Sequence, residues 1–260
     1  MTVPTIHLPE GKRLYFASDF HLGLPNESES LVREKRIIQW LQSIQHDAHQ
    51  IYLVGDLFDV WFEYKSVVPK GFVRLLGQLA TLKDQGIDIF VFSGNHDTWY
   101  RDYFPQYLGI PVHHEPIHFI CQNKYFVVGH GDGLGPGDKG YKLLKKIIRN
   151  PFLQVLYRFI HPDIGMRIAT WFSRKGPKNG DLQKAIQQSD LDMSTEWLAI
   201  YSKTCAEQFH ANYCIFGHRH VAIDYAVTSD CRYINLGDWI VYDTYAYFDG
   251  KDVTLQRFSS

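Results

Sequence analysis

The stretch IYLVGDLFD, residues 51–59, joins an apolar run to a glycine and an acid that follow it directly. Four large apolar side chains in a row are typical of a strand that is buried on both faces. The glycine permits a tight turn at the end of such a strand. Asp56 would then lie at the carboxyl end of the strand, where α/β proteins place their functional loops. The stretch therefore predicts a buried strand that delivers a carboxylate to one edge of a sheet.

The same pattern of apolar run, small residue and acid or histidine recurs along the chain. It is found in RLYFASDFH (13–21), IDIFVFSGNHD (87–97), YFVVGHGD (125–132), YCIFGHRH (213–220) and YINLGDW (233–239). Helical patterns at 29–47 and 72–86 separate the early strands, and this alternation predicts an α/β fold. Residues 234–258 instead favour antiparallel strands with an Asp-Gly hairpin turn at 249–250. We therefore expect a two-layer sandwich of sheets with helices outside.

The bulk composition narrows the class of protein. With 260 residues, of which 45% are hydrophobic, the chain can form one large domain, and we expect a single domain over 1–260. A net charge of −1 gives no general preference for nucleic acid. The four cysteines have no CxxC pairing, which favours a reduced, cytoplasmic setting over a disulfide framework. The start of the chain lacks an apolar signal core and no run of about 18 apolar residues occurs, so we expect an intracellular protein that spans no membrane.

One region breaks the alternation of strands and helices. From residue 139 to about 212 the pattern is helical, and we interpret 139–212 as an inserted helical cap, or lid. Residues 139–178 contain ten lysines and arginines against one aspartate, together with the apolar stretches FLQVLYRFI (152–160) and MRIATWF (166–172). Such a segment can simply pack over the sheet with a solvated basic face. Alternatively, it is an amphipathic cap that meets anionic lipid or a phosphorylated amphiphile.

The residues that follow the strands form a set of candidate metal ligands. A single acid after a strand is often a turn residue, and a single histidine is more often structural than a ligand. Together, however, imidazoles, carboxylates and one amide without any thiolate suit two divalent ions such as Mn²⁺, Fe²⁺ or Zn²⁺. The candidate ligands are Asp19, His21, Asp56, Asn95, His130, His218 and His220.

Their spacing supports this hypothesis. In Asp19-x-His21 and His218-x-His220 the two side chains lie at i and i+2, on one face of an extended segment. Glycines before several of the candidates permit close approach of the backbone to an ion or a phosphate. Asp56 is the best candidate for a bridging carboxylate, because a shared anion offsets the repulsion between two cations about 3.5–4 Å apart.

The blocks DFH, GDLFD, GNHD, GHGD and GHRH, in this order, resemble the signature motifs of the calcineurin-like metallophosphoesterases. The resemblance implies a four-layered α/β/β/α sandwich and hydrolysis of a phosphoester or phosphoanhydride by a water that two metals activate. By motif, the first metal would be held by Asp19, His21, Asp56 and His220. The second would be held by Asp56, Asn95, His130 and His218.

The resemblance also implies catalytic residues beside the metals. His96, inside GNHD, would be the electrophile or general acid near the leaving oxygen, and Asp97 would orient it. The chemistry is reasonable in itself. Two cations lower the pKa of a shared water and neutralise the charge of an in-line displacement, and a neighbouring histidine can donate a proton.

A closer resemblance covers most of the chain. GDLFDVW, HGDGLGPGDKGYK and NPFLQVLYRF resemble the UDP-2,3-diacylglucosamine hydrolases of lipid A biosynthesis. These enzymes cleave a pyrophosphate to give UMP and 2,3-diacylglucosamine 1-phosphate. They are peripheral proteins on the cytoplasmic side of the Gram-negative inner membrane, and their helical lid receives acyl chains. The resemblance implies the same UDP-linked substrate, the same membrane surface and two metal ions, with Mn²⁺ favoured.

The resemblance also points to candidate substrate-binding residues. By motif, Trp61, Asp138 and Tyr141 fall where the resembled enzymes line the mouth of the active site. Arg174, Lys175 and Lys178 are our candidates for binding the phosphates or the uridine. The sequence also departs from the pattern, because the best-known branch has an arginine in place of His96, and KGPKNG replaces a serine- and asparagine-rich stretch.

Two alternatives stay open at this point. Another phosphoesterase of the same superfamily could act on a phosphoprotein, a nucleotide or a nucleic acid, and the aromatic and basic residues 171–175 suit a nuclease. A non-catalytic scaffold is the other alternative, but such a protein would have lost ligands that this sequence keeps. We expect no nucleic-acid partner, and the sequence does not specify an oligomeric state.

Overall fold

The computed structural model describes residues 2–136, 139–173 and 191–259, without the side chains of residues 139, 141 and 144. The strands are β1 (Thr5–Ile6), β2 (Arg13–Ala17), β3 (Ala48–Val54), β4 (Asp88–Phe92), β5 (Val112–His113), β6 (Ile117–Cys121), β7 (Lys124–Val128), β8 (Tyr213–Phe216), β9 (Ala222–Ala226), β10 (Arg232–Leu236), β11 (Thr244–Phe248) and β12 (Val253–Arg257). The helices are α1 (Glu27–Ile44), α2 (Val73–Asp84), α3 (Tyr103–Tyr107), α4 (Lys139–Ile148), α5 (Pro151–Tyr157), α6 (Pro162–Ser173) and α7 (Trp197–Phe209).

The strands of the described residues form two six-stranded sheets. The first has the order β12-β11-β2-β3-β4-β5, in which β2, β3, β4 and β5 are parallel and β11 and β12 are antiparallel. The second has the order β1-β6-β7-β8-β10-β9, in which β7, β8 and β10 are parallel neighbours. The parallel strands of both sheets end on the side that carries the predicted metal ligands.

The two sheets pack face to face around an aromatic core. Phe16 stacks on Tyr52 with ring centroids 5.0 Å apart, and Phe119 stacks on Phe126 at 4.9 Å. All four side chains are buried, and rings in this offset or stacked geometry stabilise a core beyond the area that they bury. This cluster is the seam between the two sheets.

Helices cover the outer face of each sheet. Apolar side chains of α1 and α2, including Trp40, Leu41 and Leu79, are buried in the cluster against the first sheet. Leu198 and Cys205 of α7 belong to the cluster on the second sheet. The result is the predicted four-layered α/β/β/α sandwich, because each sheet buries one face on the other sheet and one face under helices. The predicted hairpin turn at 249–250 joins the antiparallel strands β11 and β12.

Helices α4, α5 and α6, residues 139–173, form a separate group within the predicted cap 139–212, and from here on the name lid refers to this group alone. They lie over the loops that follow β3 and β4. The indole Nε1 of Trp99 donates to the carbonyl of Ile148 at 2.7 Å, and the Arg158 guanidinium donates to the carbonyl of Glu63 at 3.1 Å. Helix α7 also falls within the predicted cap 139–212, but it packs as the outer layer of the second sheet. In the part of the chain that the structure describes, no helix has the length and apolar character needed to cross a bilayer.

Candidate metal centre

The loops that follow five strands of the two sheets meet at one edge of the sandwich. The Asp19 and His21 loop follows β2, Asp56 follows β3, and Asn95 follows β4. From the second sheet, His130 follows β7, and the His218 and His220 loop follows β8. We call this group the metal edge; its members are Asp19, His21, Asp56, Asn95, His130, His218 and His220.

One part of the metal edge surrounds Asp19. The Nε2 atom of His21 lies 3.7 Å from Oδ1 of Asp19 and 3.6 Å from Oδ2 of Asp56. The Nε2 atom of His220 lies 3.5 Å from the same Oδ1 of Asp19. The imidazole rings of His21 and His220 are stacked, with centroids 4.8 Å apart. These donor atoms converge on one small space, as the ligands of a single ion do.

A second part of the metal edge surrounds Asn95. The Nε2 atom of His130 lies 3.3 Å from Oδ2 of Asp56 and 3.3 Å from Oδ1 of Asn95. The Nδ1 atom of His218 lies 2.8 Å from the same Oδ1 of Asn95. Asp56 therefore contacts both groups of donors, which is the position that a bridging carboxylate requires.

The backbone of the metal edge is strained. Asp19, His21, Asp56, His218 and His220 have φ values between 43° and 70°, in the left-handed region that residues with a Cβ rarely adopt. Each such residue costs about 1–3 kcal/mol and persists only where the surroundings fix it. Here the backbone N–H of Asp19 donates to the carbonyl of Gly55 at 3.0 Å, and that of His21 donates to the carbonyl of Asp56 at 2.9 Å. The strained backbone therefore lowers the free energy of unfolding, and in return it directs these side chains towards one point.

Two glycines leave room for the carboxylates. A Cβ at Gly94 would overlap the carboxylate of Asp56, and a Cβ at Gly217 would overlap that of Asp19. The small residue in each sequence block is thus needed for close approach of one loop to the carboxylate of another.

Buried polar atoms at the metal edge fit divalent ions. Among the residues that the structure describes, Oδ1 of Asp19 and both ring nitrogens of His21 are buried without a hydrogen-bond partner. A buried polar atom without a partner costs about 1–3 kcal/mol, so such a cluster requires an explanation. Carboxylate and imidazole donors that converge at 3.5–3.7 Å would be satisfied by a cation between them. The set Asp19, His21 and His220 and the set Asp19, Asp56 and His130 each have ligand atoms within 4.8 Å of one another.

The electrostatics of the metal edge keep the carboxylates ionised. Burial alone would raise the pKa of Asp19, but the positive charge of His220 and the neighbouring imidazole of His21 lower this pKa to about 2. Burial likewise opposes ionisation of Asp56, and the charges of His130 and His96 nevertheless hold its pKa well below the ordinary value. In return, Asp56 raises the pKa of His130 to about 10 against the effect of burial. Binding of a cation at this position would therefore displace a proton from His130.

Two histidines of the metal edge are oriented by oxygen atoms that contact their Nδ1 atoms. The Nδ1 atom of His130 lies 2.9 Å from the carbonyl oxygen of Val54, and Nδ1 of His220 lies 3.2 Å from Oδ2 of Asp238. The other oxygen of Asp238 accepts backbone N–H groups of residues 240–242 at 2.8–3.2 Å. Partners of this kind fix the tautomer of a ligating imidazole and turn its second nitrogen towards the metal.

His96 lies beside the metal edge. Its ring centroid is 4.8 Å from that of His21, and its side chain is 25% exposed, so a substrate can reach it. Its Nδ1 atom lies 3.3 Å from Oδ1 and 3.2 Å from the carbonyl oxygen of Asp59. Burial would lower the pKa of His96, but the charges of Asp56 and Asp59 raise it to about 9. This arrangement presents a proton donor next to the predicted metals.

The expectation that Asp97 orients His96 requires correction. Oδ2 of Asp97 accepts the backbone N–H of Leu57 and the hydroxyl of Tyr100, each at 2.7 Å, and Oδ1 accepts the N–H of Gly94 at 2.7 Å. These bonds tie the loop after β3 to the loop after β4. Asp97 therefore positions the loops, because its oxygen atoms accept hydrogen bonds from their backbone N–H groups. The acid that faces the His96 imidazole is Asp59.

The expectation that Trp61 lines the mouth of the site also requires correction. Trp61 is 1% exposed, stacks on Phe58 with centroids 4.4 Å apart, and donates from Nε1 to Glu63 at 3.0 Å. It belongs to the core under the loop after β3. Asp138, Arg174, Lys175 and Lys178 lie outside the described residues, as does the side chain of Tyr141.

Several basic residues of the lid have partners in the scaffold. Lys145 donates to the carbonyl of Asp132 at 2.7 Å and pairs with its carboxylate at 2.8 Å. Arg149 pairs with Glu115 at 2.7 Å, and Lys142 donates to the carbonyl of Gly135 at 2.6 Å. Part of the positive charge read from the sequence thus fastens helix α4 and the residue that follows it to loops of the scaffold.

Sequence reasoning missed three residues of this site. Asp59 and Asp238 stand in the quoted blocks GDLFD and GDW, so the acid after a strand was the signal that could have identified them. Ser173, whose hydroxyl donates to Asp59 and lies 3.3 Å from Nδ1 of His96, belongs to the lid and has no local signal.

The chain is similar to characterised families over most of its length. The model of the calcineurin-like phosphoesterases matches residues 12–222. A UDP-2,3-diacylglucosamine hydrolase of Porphyromonas gingivalis is 38% identical over 94% of this chain and 97% of its own. Proteins of the same name from Tolumonas auensis and Actinobacillus succinogenes are 28% and 25% identical, over 92% and 87% of this chain and 94% and 92% of their own. The chain belongs to the calcineurin-like phosphoesterase family.

Proposed function

We propose that this protein hydrolyses the pyrophosphate bond of UDP-2,3-diacylglucosamine and releases UMP and 2,3-diacylglucosamine 1-phosphate, a step of lipid A biosynthesis. The observation that carries the proposal is the 38% identity to a UDP-2,3-diacylglucosamine hydrolase over 94% of the chain. The metal edge supports the reaction type, because its donors are those of a phosphoester hydrolase with two ions.

The proposed ligands of the first ion are Asp19, His21, Asp56 and His220. Those of the second are Asp56, Asn95, His130 and His218. Two bound divalent ions, which we propose to be Mn²⁺, would supply an activated water and neutralise charge on the phosphate oxygens. The contact of Asp56 with donors of both groups supports its role as the shared carboxylate.

His96 is the proposed catalytic residue of the chain. In the reaction, a bond forms between the water oxygen and one phosphorus, and the bond from that phosphorus to the bridging oxygen breaks. The electron pair stays on the leaving oxygen, where a hydrogen bond or proton from the imidazole stabilises it. Because Nδ1 of His96 faces Asp59, Nε2 is the nitrogen that would face the substrate.

An apolar cavity in the lid favours a substrate that carries an acyl chain. A cavity of about 380 Å³ is lined by apolar residues of the lid and of the loop below it: Trp99, Ile147, Ile148, Leu153, Leu156, Tyr157 and Ile160. Cavities of this size and character are typical of small-molecule sites. We propose that it takes an acyl chain, and that Asp138, Tyr141, Arg174, Lys175 and Lys178 bind the polar part of the substrate.

We further propose that the lid touches the membrane that carries this substrate, in the cytoplasm at the inner membrane. Phe152, Phe159 and Phe172 are 68%, 84% and 65% exposed, and the lid also carries the exposed basic residues Lys146 and Arg167. Exposed apolar side chains within a basic segment favour a surface of anionic lipid. Co-sedimentation with vesicles that contain an anionic phospholipid tests this. If neutral vesicles in high salt sediment the same fraction of the protein as anionic vesicles do, the proposal is wrong.

The decisive test of the substrate is incubation of the purified protein with UDP-2,3-diacylglucosamine and Mn²⁺, followed by mass spectrometry. Equal amounts of UMP and acylated sugar phosphate are expected, and addition of a chelator should stop their formation. If the protein hydrolyses simple phosphodiesters but leaves this lipid intact, it acts on a different phosphoester.

A further inference from the structure

We propose that Ser173, the last described residue of the lid helix α6, is a positioning residue that fixes the orientation of the His96 imidazole. Its hydroxyl donates to Oδ1 of Asp59 and lies 3.3 Å from Nδ1 of His96. The inference rests on the proposed hydrolase function and adds a link between the lid and the reaction.

The chemistry of this contact determines which ring nitrogen of His96 carries a proton. Its Nδ1 atom faces three oxygen atoms: the Asp59 carboxylate at 3.3 Å, the Asp59 carbonyl at 3.2 Å and the Ser173 hydroxyl at 3.3 Å. The proton of the Ser173 hydroxyl is used towards Asp59, so this oxygen accepts from the imidazole. All three oxygen atoms are acceptors, and Nδ1 therefore carries a proton. Nε2 is then the nitrogen directed at the leaving oxygen.

The position of Ser173 depends on the lid. Two further contacts hold the lid on the same loop that carries Asp59. The Arg158 guanidinium donates to the Glu63 carbonyl at 3.1 Å, and the ring of Tyr157 packs on Phe62 with centroids 4.9 Å apart. Ser173, by contrast, contacts the acid and the imidazole directly. Seating of α6 on this loop thus completes the hydrogen-bond set of His96.

The proposal predicts that Ser173 matters most when the leaving group needs help. A poorly activated leaving oxygen requires a well-aimed donor, and an activated one departs without it. In Ser173→Ala, Asp59 still faces the imidazole, so the donor is less well oriented but not lost. One neutral hydrogen bond corresponds to about a fivefold effect, so turnover of a poor substrate should fall by about that factor.

The test compares two small esters that do not depend on the acyl chains: uridine 5′-phenyl phosphate and uridine 5′-(p-nitrophenyl phosphate), with saturating Mn²⁺. Ser173→Ala should lower kcat about fivefold for the phenyl ester and less than twofold for the nitrophenyl ester, with KM unchanged. Ser173→Thr, which keeps the hydroxyl, should restore most of the difference. Ser43→Ala is the matched control, because Ser43 lies on helix α1 and donates to the Trp40 carbonyl of its own helix.

Equal losses on both esters, a change in KM alone, or no change at all would overturn the proposal. A second readout does not need activity: ¹⁵N-histidine NMR of the Zn²⁺-loaded protein, with the His96 signal assigned from His96→Ala. The Nδ1 proton should be seen in the wild type and should exchange faster with water in Ser173→Ala; an unchanged proton would refute the contact. If the wild type cleaves neither these esters nor UDP-2,3-diacylglucosamine, the hydrolase proposal fails and this signal alone decides the role of Ser173. If it cleaves the esters but not UDP-2,3-diacylglucosamine, only the substrate assignment fails.

Discussion

The metal edge and the lid place their residues in opposite ways. At the metal edge, Asp19, His21 and Asp56 are at most 2% exposed and are aimed by strained backbone and by hydrogen bonds from neighbouring loops. In the lid, helix α5 has no buried residue, and Phe159 is 84% exposed. The side chains of the metal edge are therefore held in place by contacts inside the protein. The lid instead presents exposed apolar area that a substrate or a lipid surface can cover. We infer that the edge performs the reaction and that the lid selects what reaches it.

The largest effect is expected from Asp56, the proposed shared carboxylate, and from its imidazole partner His130. Replacement of Asp56 or His130 by alanine should lower turnover of every phosphoester at least about a thousandfold, because several kilocalories per mole of charge stabilisation are lost with the metals. Metal content and kcat measured on the same preparation check this. Asp88→Ala is the control, since Asp88 is an exposed acid that pairs with Lys83 on the surface. Activity retained in Asp56→Ala together with His130→Ala would contradict the role of the edge.

His96 should give the next largest effect and should separate chemistry from metal binding. His96→Ala is expected to lower kcat about a hundredfold or more, the usual contribution of a positioned proton donor. The metal content should stay unchanged, because His96 is not among the proposed ligands. Elemental analysis beside steady-state kinetics measures both, with the exposed His46→Ala as control. Complete loss of metal in His96→Ala would show that His96 is itself a ligand.

Asp238 should have a smaller effect, limited to one ion. Asp238→Asn removes the charge that orients His220 across 3.2 Å, and a partner of this kind is worth about 10–100-fold in metal affinity. Titration with Mn²⁺ should show weaker binding, and excess Mn²⁺ should restore most of the activity. The exposed Asp230→Asn is the matched control. If excess metal restores nothing, Asp238 supports the fold and not the metal.

The sequence predicted that the seven side chains of the metal edge lie close together, because each signal for them is local. An apolar run followed by a small residue and an acid or histidine is visible within about nine residues, and the ends of parallel strands meet at one edge. All seven predicted ligands converge for this reason. Five of them belong to sets whose ligand atoms lie within 4.8 Å of one another, and Asn95 contacts His130 and His218.

Contacts between distant segments were not predictable in the same way. Ser173 is separated from Asp59 by 114 residues, and nothing near Ser173 marks it as a partner of an acid. Trp61 was misjudged because an aromatic residue after a strand looks the same whether it lines a mouth or fills a core. Helix α7 follows the lid within one stretch of helical pattern, and a helical pattern does not tell which surface a helix covers.

The most direct measurement of the division between edge and lid is the ratio of kcat/KM for UDP-2,3-diacylglucosamine to that for uridine 5′-(p-nitrophenyl phosphate). It is compared in Leu153→Asp, which places a charge in the apolar cavity of the lid, and in Val32→Asp, which places the same charge at another exposed apolar position, on helix α1. Leu153→Asp should lower kcat/KM for the lipid at least about tenfold, because an acyl chain in the cavity would then have to lie against a charge, and change that for the small ester less than twofold. Val32→Asp should leave both unchanged. Equal losses on both substrates in Leu153→Asp, or no loss on the lipid, would contradict the account.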